Sequence, residues 1–468
     1  MRDLCMVSDY RFPGDFARFW MVRELIEDMN KRVVMDVCMA SLRRLVVSGF
    51  DMQELNLNAC LDLEILSCPD NELESIDLQR IPKLKALNCS DNKIKELSLK
   101  ETPELLRLKI SNNRGIKLRN ASCLNLEVLE CENSGFGDGE TDLRCYPKLK
   151  CLNIASNGFD SICLASVPEL EKLDCNTNEL ESLDLSHVPN LRELDCSDNE
   201  IEQLDLSCVP ELRILNCEYL CLKRFDFSPI AKIERLNCSR QLSLTEGPFD
   251  LTGLEHLREL NCRESNITWL ILPKSGKLTV LHCVGNSLSE LDLSAHRELS
   301  VLDCTGNRLE SLNLAGLPQL EELACGNNPL KQLDLSALHR LRVLACNGLG
   351  LTRLDLRHVP RLESLFCSEN EIVSLDLSPA GKLRELDCSS SPLVKLNLGF
   401  AENLKKLNCL DTDIEEIDLA SAPNMRVIAC DKDVRIHNAP KALIRVDSVK
   451  ELSDALWVVP EAPWFEAV

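Results

Sequence analysis

The sequence predicts a mainly β solenoid of about 18–19 turns, a weakly curved coil with a parallel sheet along one side. Three observations carry this prediction. One 17-residue sentence recurs: LESLDLSHVPNLRELDC from Leu180 to Cys196, LSELDLSAHRELSVLDC from Leu288 to Cys304, and LKQLDLSALHRLRVLAC from Leu330 to Cys346. Its period is 21 residues. The closing position runs Cys68, Cys89, Ile110, Cys131, Ile154, Cys175, Cys196, Cys217, Cys238, Cys262, Cys283, Cys304, Cys325, Cys346, Cys367, Cys388, Cys409, Cys430, which is 18 rungs with 16 Cys. Only two gaps depart from 21: 23 residues before Ile154 and 24 before Cys262. A fixed period of this length means stacked turns, none of which buries its apolar side alone.

Within one repeat, Leu63, Leu66 and Cys68 fit the leucine-rich pattern L-x-x-L-x-L, with Asn71 and Leu73 completing it. Leu66 and Cys68 alternate with Ser67, so this piece is a strand with one face inward. Stacked in register, such strands make the parallel front sheet. Asn71 turns the chain, and ten of the 18 rungs carry Asn there. A buried Asn has donors and an acceptor enough to satisfy backbone groups of neighbouring turns, so the ladder is structural rather than a ligand site. On the back, Leu73, Ile76 and Leu78 recur as Leu180, Leu183, Leu185 and as Leu309, Leu312, Leu314. Too few residues remain before the next front strand for a helical crossover, and Pro82, Pro103, Pro168, Pro189, Pro210, Pro318, Pro360 and Pro423 punctuate the return. Short extended segments are therefore expected on the back. With strands on both sides the coil curves only gently, and its steps add up to a rod of about 80 Å.

The motif C-x-x-N-x-L-x-x-L-D-L-S on a 21-residue period, with Cys in the inward apolar place, resembles the cysteine-ladder branch of the internalin leucine-rich repeats. The resemblance covers roughly residues 42 to 436. It implies a protein-binding solenoid that a bacterium directs at host molecules.

Charge and cysteine usage narrow the class. A net charge of −22 and a pI near 4.9 argue against binding nucleic acid, because phosphates would be repelled. The same charge serves solubility, and its sharper reading is a basic protein partner. Twenty-five Cys would suggest disulfides in a small secreted protein. Here adjacent rungs put parallel Cβ vectors about 4.8 Å apart, wider than the ~3.8 Å that a disulfide prefers. A line of sulfurs also does not converge tetrahedrally on a zinc ion. The expectation is a dry seam of packing thiols and a reducing compartment, a cytoplasm or a host cytosol. The opening MRDLCMVSDYRF holds no apolar run of a signal peptide, and no stretch reaches the length of a membrane span.

Taken in order, residues 1–41 are expected to form a helical cap, with Phe16, Phe19, Trp20, Ile26 and Met29 on one face. Residues 42–436 form the solenoid, opening with a degenerate turn at Leu42, Leu45 and Val47. The loop at 134–142 carries Asp138, Glu140 and Asp142, in an order that does not match a calcium loop, and its glycines favour a plain turn. A second irregularity, TEGPFDLTG, brings the three-residue insertion. Residues 437–468 form the C-terminal cap, with a last strand at 442–446 and a capping box at Ser448 opening a short helix.

The concave face consists of alternate front-strand residues. The one before each rung is commonly Asn or Asp, as at Asn88, Asn153, Asp174, Asp195, Asn216, Asn237, Asn261, Asp303, Asp387 and Asn408, a polar ladder expected to bond up and down the sheet. Asp174 and Asp195 then stack like charges, which is mildly destabilising. Cys151 is expected on this face as an inert thiol. Two interruptions are candidate partner-binding sites. One combines Tyr219, Arg235, Arg240, Arg263, Trp269 and His282, all expected on or beside the concave face, since aromatic residues and Arg anchor interfaces. Its plainer alternative is surface scatter, with Trp269 packing on the inserted loop. The other is the apolar step Ala324, Ala345 and Phe366. The seven His are dispersed, and no H-E-x-x-H, G-x-x-x-x-G-K or G-x-S-x-G occurs. No catalytic constellation, metal site or cofactor is expected. The reading is a monomeric, non-enzymatic protein-recognition scaffold, an adaptor or an injected effector. Its rivals are a surface adhesin of internalin type and an effector resembling repeat-bearing ubiquitin ligases, which needs a catalytic Cys in a helical domain beside the repeats.

Overall fold

Each repeat contributes a front strand of three residues whose middle Leu is buried and whose flanking residues are half-exposed, as in Lys172–Asp174, Glu193–Asp195 and Ile214–Asn216. That alternation turns the L-x-C pattern into a sheet with one apolar face. Successive strands pair in parallel with residues 21 apart in register, for example Leu173 with Leu194 and Asp174 with Asp195. The computed structural model describes residues 3–7, 34–36, 41–119, 124–135, 143–241, 247–399 and 401–447. It divides into two units, Met1–Ile233 and Glu234–Val468.

In the first unit the front strands run from Asp3–Val7 to Ile214–Asn216. Strand Asp3–Val7 pairs with Arg44–Ser48, and Val34–Asp36 with Glu54–Asn56. Parallel pairing therefore begins inside the segment expected to be only a cap, because DLCMV supplies a strand sequence before the first leucine-rich turn. The helix expected between these two strands lies outside the described residues. In the second unit the front strands run from Arg235–Asn237 to Ile444–Val446, the last of which pairs with Val427–Cys430 where a final strand was expected. The helix expected from Ser448 lies outside the described residues.

The back is extended, as expected. It forms short two-stranded ladders at Glu96–Ser98 with Lys117–Arg119, Phe249–Asp250 with Leu270–Ile271, Ser374–Asp376 with Lys395–Asn397, and Glu416–Asp418 with Arg435–His437. The two described helical pieces are single 3-10 turns, Leu143–Cys145 and Ser228–Ile230. The chain returns to the front through two consecutive turns. Val188 N donates to Leu185 O and Leu191 N to Val188 O, at 3.2 and 3.1 Å. Pro189 is the second residue of the latter turn, where its fixed φ is already correct. Pro82, Pro103, Pro168, Pro210, Pro318, Pro360 and Pro423 sit alike. These prolines build the turn rather than merely interrupting regular structure.

Three polar devices recur. The Asn ladder is a backbone clamp: Asn199 Nδ2 donates to the carbonyls of Cys175, Cys196 and Ser197 at 3.0 Å each, while Leu180 N donates to its Oδ1 at 3.0 Å. Ser134, Ser265 and Ser391 fill the same place with a shorter hydroxyl, which meets fewer backbone groups than the amide of Asn199 does. The D-L-S of the back is an Asx turn, in which Ser207 N donates to Asp205 Oδ1 at 2.9 Å. That bond, with the one from the Ser hydroxyl, holds the Asp205 carboxyl below its ordinary range. Between the Asn and the rung, one residue takes a left-handed φ. Asp70, Asp91 and Asp198 hold it in some turns and Gly285, Gly306 and Gly348 in others, as suits φ near +50 to +70°.

The ladder cysteines are buried, and every cysteine whose side chain is described, from Cys60 onward, is a free thiol. Burial pushes the thiols of Cys68, Cys262 and Cys346 up to about 12. Several donate weakly to the next turn, as Cys131 Sγ does to Asn153 O at 3.3 Å and Cys409 Sγ to Ala429 O at 3.4 Å. A small apolar residue with one weak donor fits a position between stacked carbonyls.

Candidate functional site

In the second unit the front residues that flank each buried Leu form two in-register columns. The first residue of each strand gives Glu259, Val280, Val301, Glu322, Val343, Ser364 and Glu385; the last gives Asn261, His282, Asp303, Ala324, Ala345, Phe366 and Asp387. Most last-position residues are Asx for a local reason. Thr305 N donates to Asp303 Oδ1 at 3.1 Å, and Ser389 N to Asp387 Oδ1 at 3.1 Å, each closing the exit of its own strand. The expected bonding along the sheet is present at fewer places, such as Asn216 Nδ2 to Asp195 Oδ2 at 2.8 Å in the first unit.

From Ala324 to Phe366 this polar column lapses. Val280 pairs in register with Val301 and Ala324 with Ala345, and Val343 lies one strand beyond Glu322; these half-exposed residues make an apolar strip in the front sheet. Phe366 continues the column but is only 1% exposed, the largest of the fully buried side chains. It was expected as surface. Beside the small Ala345, a benzyl ring gains more by leaving water than by facing it, so it serves as floor rather than contact. Glu322 interrupts the strip. Its in-register neighbours are Val301 and Val343, and burial raises its pKa above the usual carboxylate value, with Arg342 opposing.

The remaining predicted residues do not converge on one patch. Arg235 stands at the first front position, its Nε 3.8 Å from Glu259 Oε2. His282 lies in the last column between Asn261 and Asp303 and is only 7% exposed. Burial lowers its pKa, Arg263 adds to that, and Asp303 opposes both, so the ring is neutral at pH 7. Arg240 and Arg263 are on the turns that follow the strands. Arg240 has φ +55° and pairs with Glu264 at 3.2 Å, so its charge is already engaged. Trp269, expected beside the concave face, directly precedes the back strand Leu270–Ile271, and its carbonyl accepts from Phe249 N at 2.8 Å. It is on the opposite sheet because it follows the turn residue, here Ser265, instead of preceding the rung. Its ring is 62% exposed. Tyr219 belongs to the first unit, where it holds the left-handed turn position at φ +53° and is 53% exposed.

In the first unit Asp174 and Asp195 stack in register. Burial raises the Asp174 pKa to about 6, with Asp195 the next cause. Cys151 faces the front and is half-buried, and its thiol is also pushed up by burial, so it is not an activated nucleophile. Among the described residues no group of three His, Cys, Asp or Glu is placed to hold a metal ion, and no helix is long and apolar enough to cross a membrane.

No family model matches the chain, and no curated protein matches it. Solved structures do. The functional domain of InlJ from Listeria monocytogenes, which includes a cysteine ladder, aligns at 29% identity over 66% of this chain and 68% of that one, with a TM-score of 0.63. The chain is a leucine-rich-repeat solenoid with a cysteine ladder. YopM from Yersinia enterocolitica aligns over 93% of this solenoid and 91% of itself at 22% identity and a TM-score of 0.57. TLR13, solved in complex with ssRNA13, aligns over 84% of this chain and 61% of its own at 22% identity and a TM-score of 0.50. The latter two share the fold.

Proposed function

We propose that this solenoid is a non-enzymatic recognition scaffold that holds a protein partner on the front sheet of the unit Glu234–Val468. The observation that carries the reading is the strip of Val280, Val301, Ala324, Val343 and Ala345. It is apolar and half-exposed, and it spans both columns: the last column elsewhere holds mostly Asx or charged residues, while the first is mixed, with Lys172, Arg235 and Lys406 but also Val128 and Ile214. Nothing in the packing of a repeat asks for valine there, since Lys172 and Lys406 occupy the same place in other turns. Water-exposed apolar area is retained where a partner covers it. Arg235, Arg263 and His282 then border one end of the contact. The ladder thiols are held protonated by burial and supply no thiolate chemistry, in keeping with a non-enzymatic role. The uncharged seam of free thiols, together with exposed Cys163 and Cys221, suits a reducing compartment. The negative charge favours a protein partner over a nucleic acid.

The test is capture from a cell lysate with wild-type chain and with Val301→Lys/Val343→Lys, followed by mass spectrometry. Because Lys stands at this position in other turns, the variant should melt with wild type. The reading expects a captured protein that the variant loses. A partner retained equally by both would overturn it.

A further inference from the structure

Four of the first-column front residues are Glu, and three have their charge met within the sheet. Glu193 pairs with Lys172 at 3.1 Å, Glu259 with Arg235 at 3.8 Å, and Glu385 with Lys406 at 3.0 Å, each partner being the in-register residue of the neighbouring strand. The fourth is Glu322. Valine stands at both of its in-register places, and it makes no ion pair among the described residues. It is half-buried between valines, which raises the free energy of its charged form, and the nearby Arg342, which pairs with Glu363 at 3.1 Å, offsets this only in part. Asp303 is diagonal to it, one strand back and two residues along, about 8 Å between Cα positions from strand geometry. Thr305 N occupies Asp303 Oδ1, and Asp303 too makes no ion pair among the described residues. The turns beside this stretch carry Gly285, Gly306 and Gly348 at the left-handed position, with Asn327 the one side chain among them, so that edge of the strip is sparsely covered.

We propose that the occupant of the strip is an apolar segment of a partner protein carrying a lysine or arginine, whose cation sits over Glu322 and Asp303 while its apolar residues cover Val301, Val343, Ala324 and Ala345. This deepens the reading above and rests on it. The combination selects its ligand by exclusion as well as attraction. A purely cationic segment leaves the valines wet, and a purely apolar one strands the Glu322 carboxylate in a still drier place. The cation supplies what Lys172, Arg235 and Lys406 supply to the other three Glu.

The probe is a library of random 12-residue peptides displayed on phage, panned against the immobilised full-length chain at low ionic strength, with each enriched peptide then measured on Val301→Lys/Val343→Lys. Enriched peptides are expected to join at least two apolar residues to a Lys or Arg. Their affinity should fall on the order of tenfold on Glu322→Gln, the size of one charge-assisted contact. It should also weaken at high salt, and Glu385→Gln should leave it unchanged. Enriched peptides that are acidic or uncharged, or that bind Glu322→Gln as well as wild type, would overturn the proposal while leaving the front-face scaffold standing. Peptides that bind the double-lysine variant undiminished would overturn the front-face reading itself. An unenriched library would also overturn the proposal, since this surface would then select no such segment.

Discussion

At the scale of single residues, two kinds of buried polar group behave in opposite ways. The Asn of each turn is buried because its amide closes backbone groups that would otherwise lose water without replacement. Asn199 meets four of them. Replacing Asn199 by Ala should therefore cost about 2–4 kcal/mol, read as a lower urea midpoint. A loss below 0.5 kcal/mol would show that water replaces the amide. Asp174 is the converse. Its carboxyl is buried beside Asp195, and its folded pKa of about 6 exceeds the ordinary aspartate value of 3.8. The folded state then holds this proton more tightly than the unfolded one, so the contribution of Asp174 to stability is greatest below pH 4 and is lost as pH rises through about 6. Asp174→Asn should stabilise the protein at pH 7, by about 2 kcal/mol, and have little effect at pH 3.5. Equal effects at the two pH values would contradict the assignment. The ladder thiols are expected to stay unalkylated by iodoacetamide in the native state while Cys163 and Cys221 react, with peptide mass spectrometry as the readout.

At the scale of the element, the repeat was largely legible. The 21-residue period, the inward Leu and Cys, and the turn Asn each have one physical reading, and strand register follows from period alone. What escaped were devices whose signal is short and local. D-L-S reads as strand alternation until its Asx bond is seen, and the recurrent Pro reads as a break until it is placed second in a turn. The residue after the rung's neighbour has a left-handed φ, which the mixture of Asp, Asn, Ser and Gly there foreshadows. The site was less legible, because exposure depends on neighbours in other turns. Phe366 lies in a front column yet is buried, and Trp269 is exposed but on the back. One element carries its own prediction. In the return turn after Cys283, His296 occupies the inward position that Val188 and Ile81 hold elsewhere. It is 2% exposed, and its Nδ1 lacks a hydrogen-bond partner among the described residues. Burial holds its pKa below 6.5, with Asp292 opposing and Lys274 near Asp292. A depressed histidine contributes stability above pH 6.5 that is lost as pH falls through its folded value. Melting should thus be lower at pH 5.5 than at pH 7.5, and His296→Leu should shrink that difference. An undiminished difference would place the acid sensitivity elsewhere.

At the scale of the molecule, stacked turns separate stability from recognition. The buried Leu, Cys and Asn recur and hold each turn to the next, whereas front-face residues vary without disturbing them. That is why Val301 and Val343 stand where other turns carry Lys, and why an apolar strip interrupted by Glu322 reads as a surface kept for a partner. The most direct measurement is carboxyl footprinting of the full chain, with carbodiimide and glycine ethyl ester, free and bound to the protein it captures. The account predicts that labelling of Glu322 and Asp303 falls on binding while that of Glu290 and Glu310, which lie outside the front strands, stays constant. Unchanged labelling at Glu322 and Asp303 in a saturated complex would contradict it.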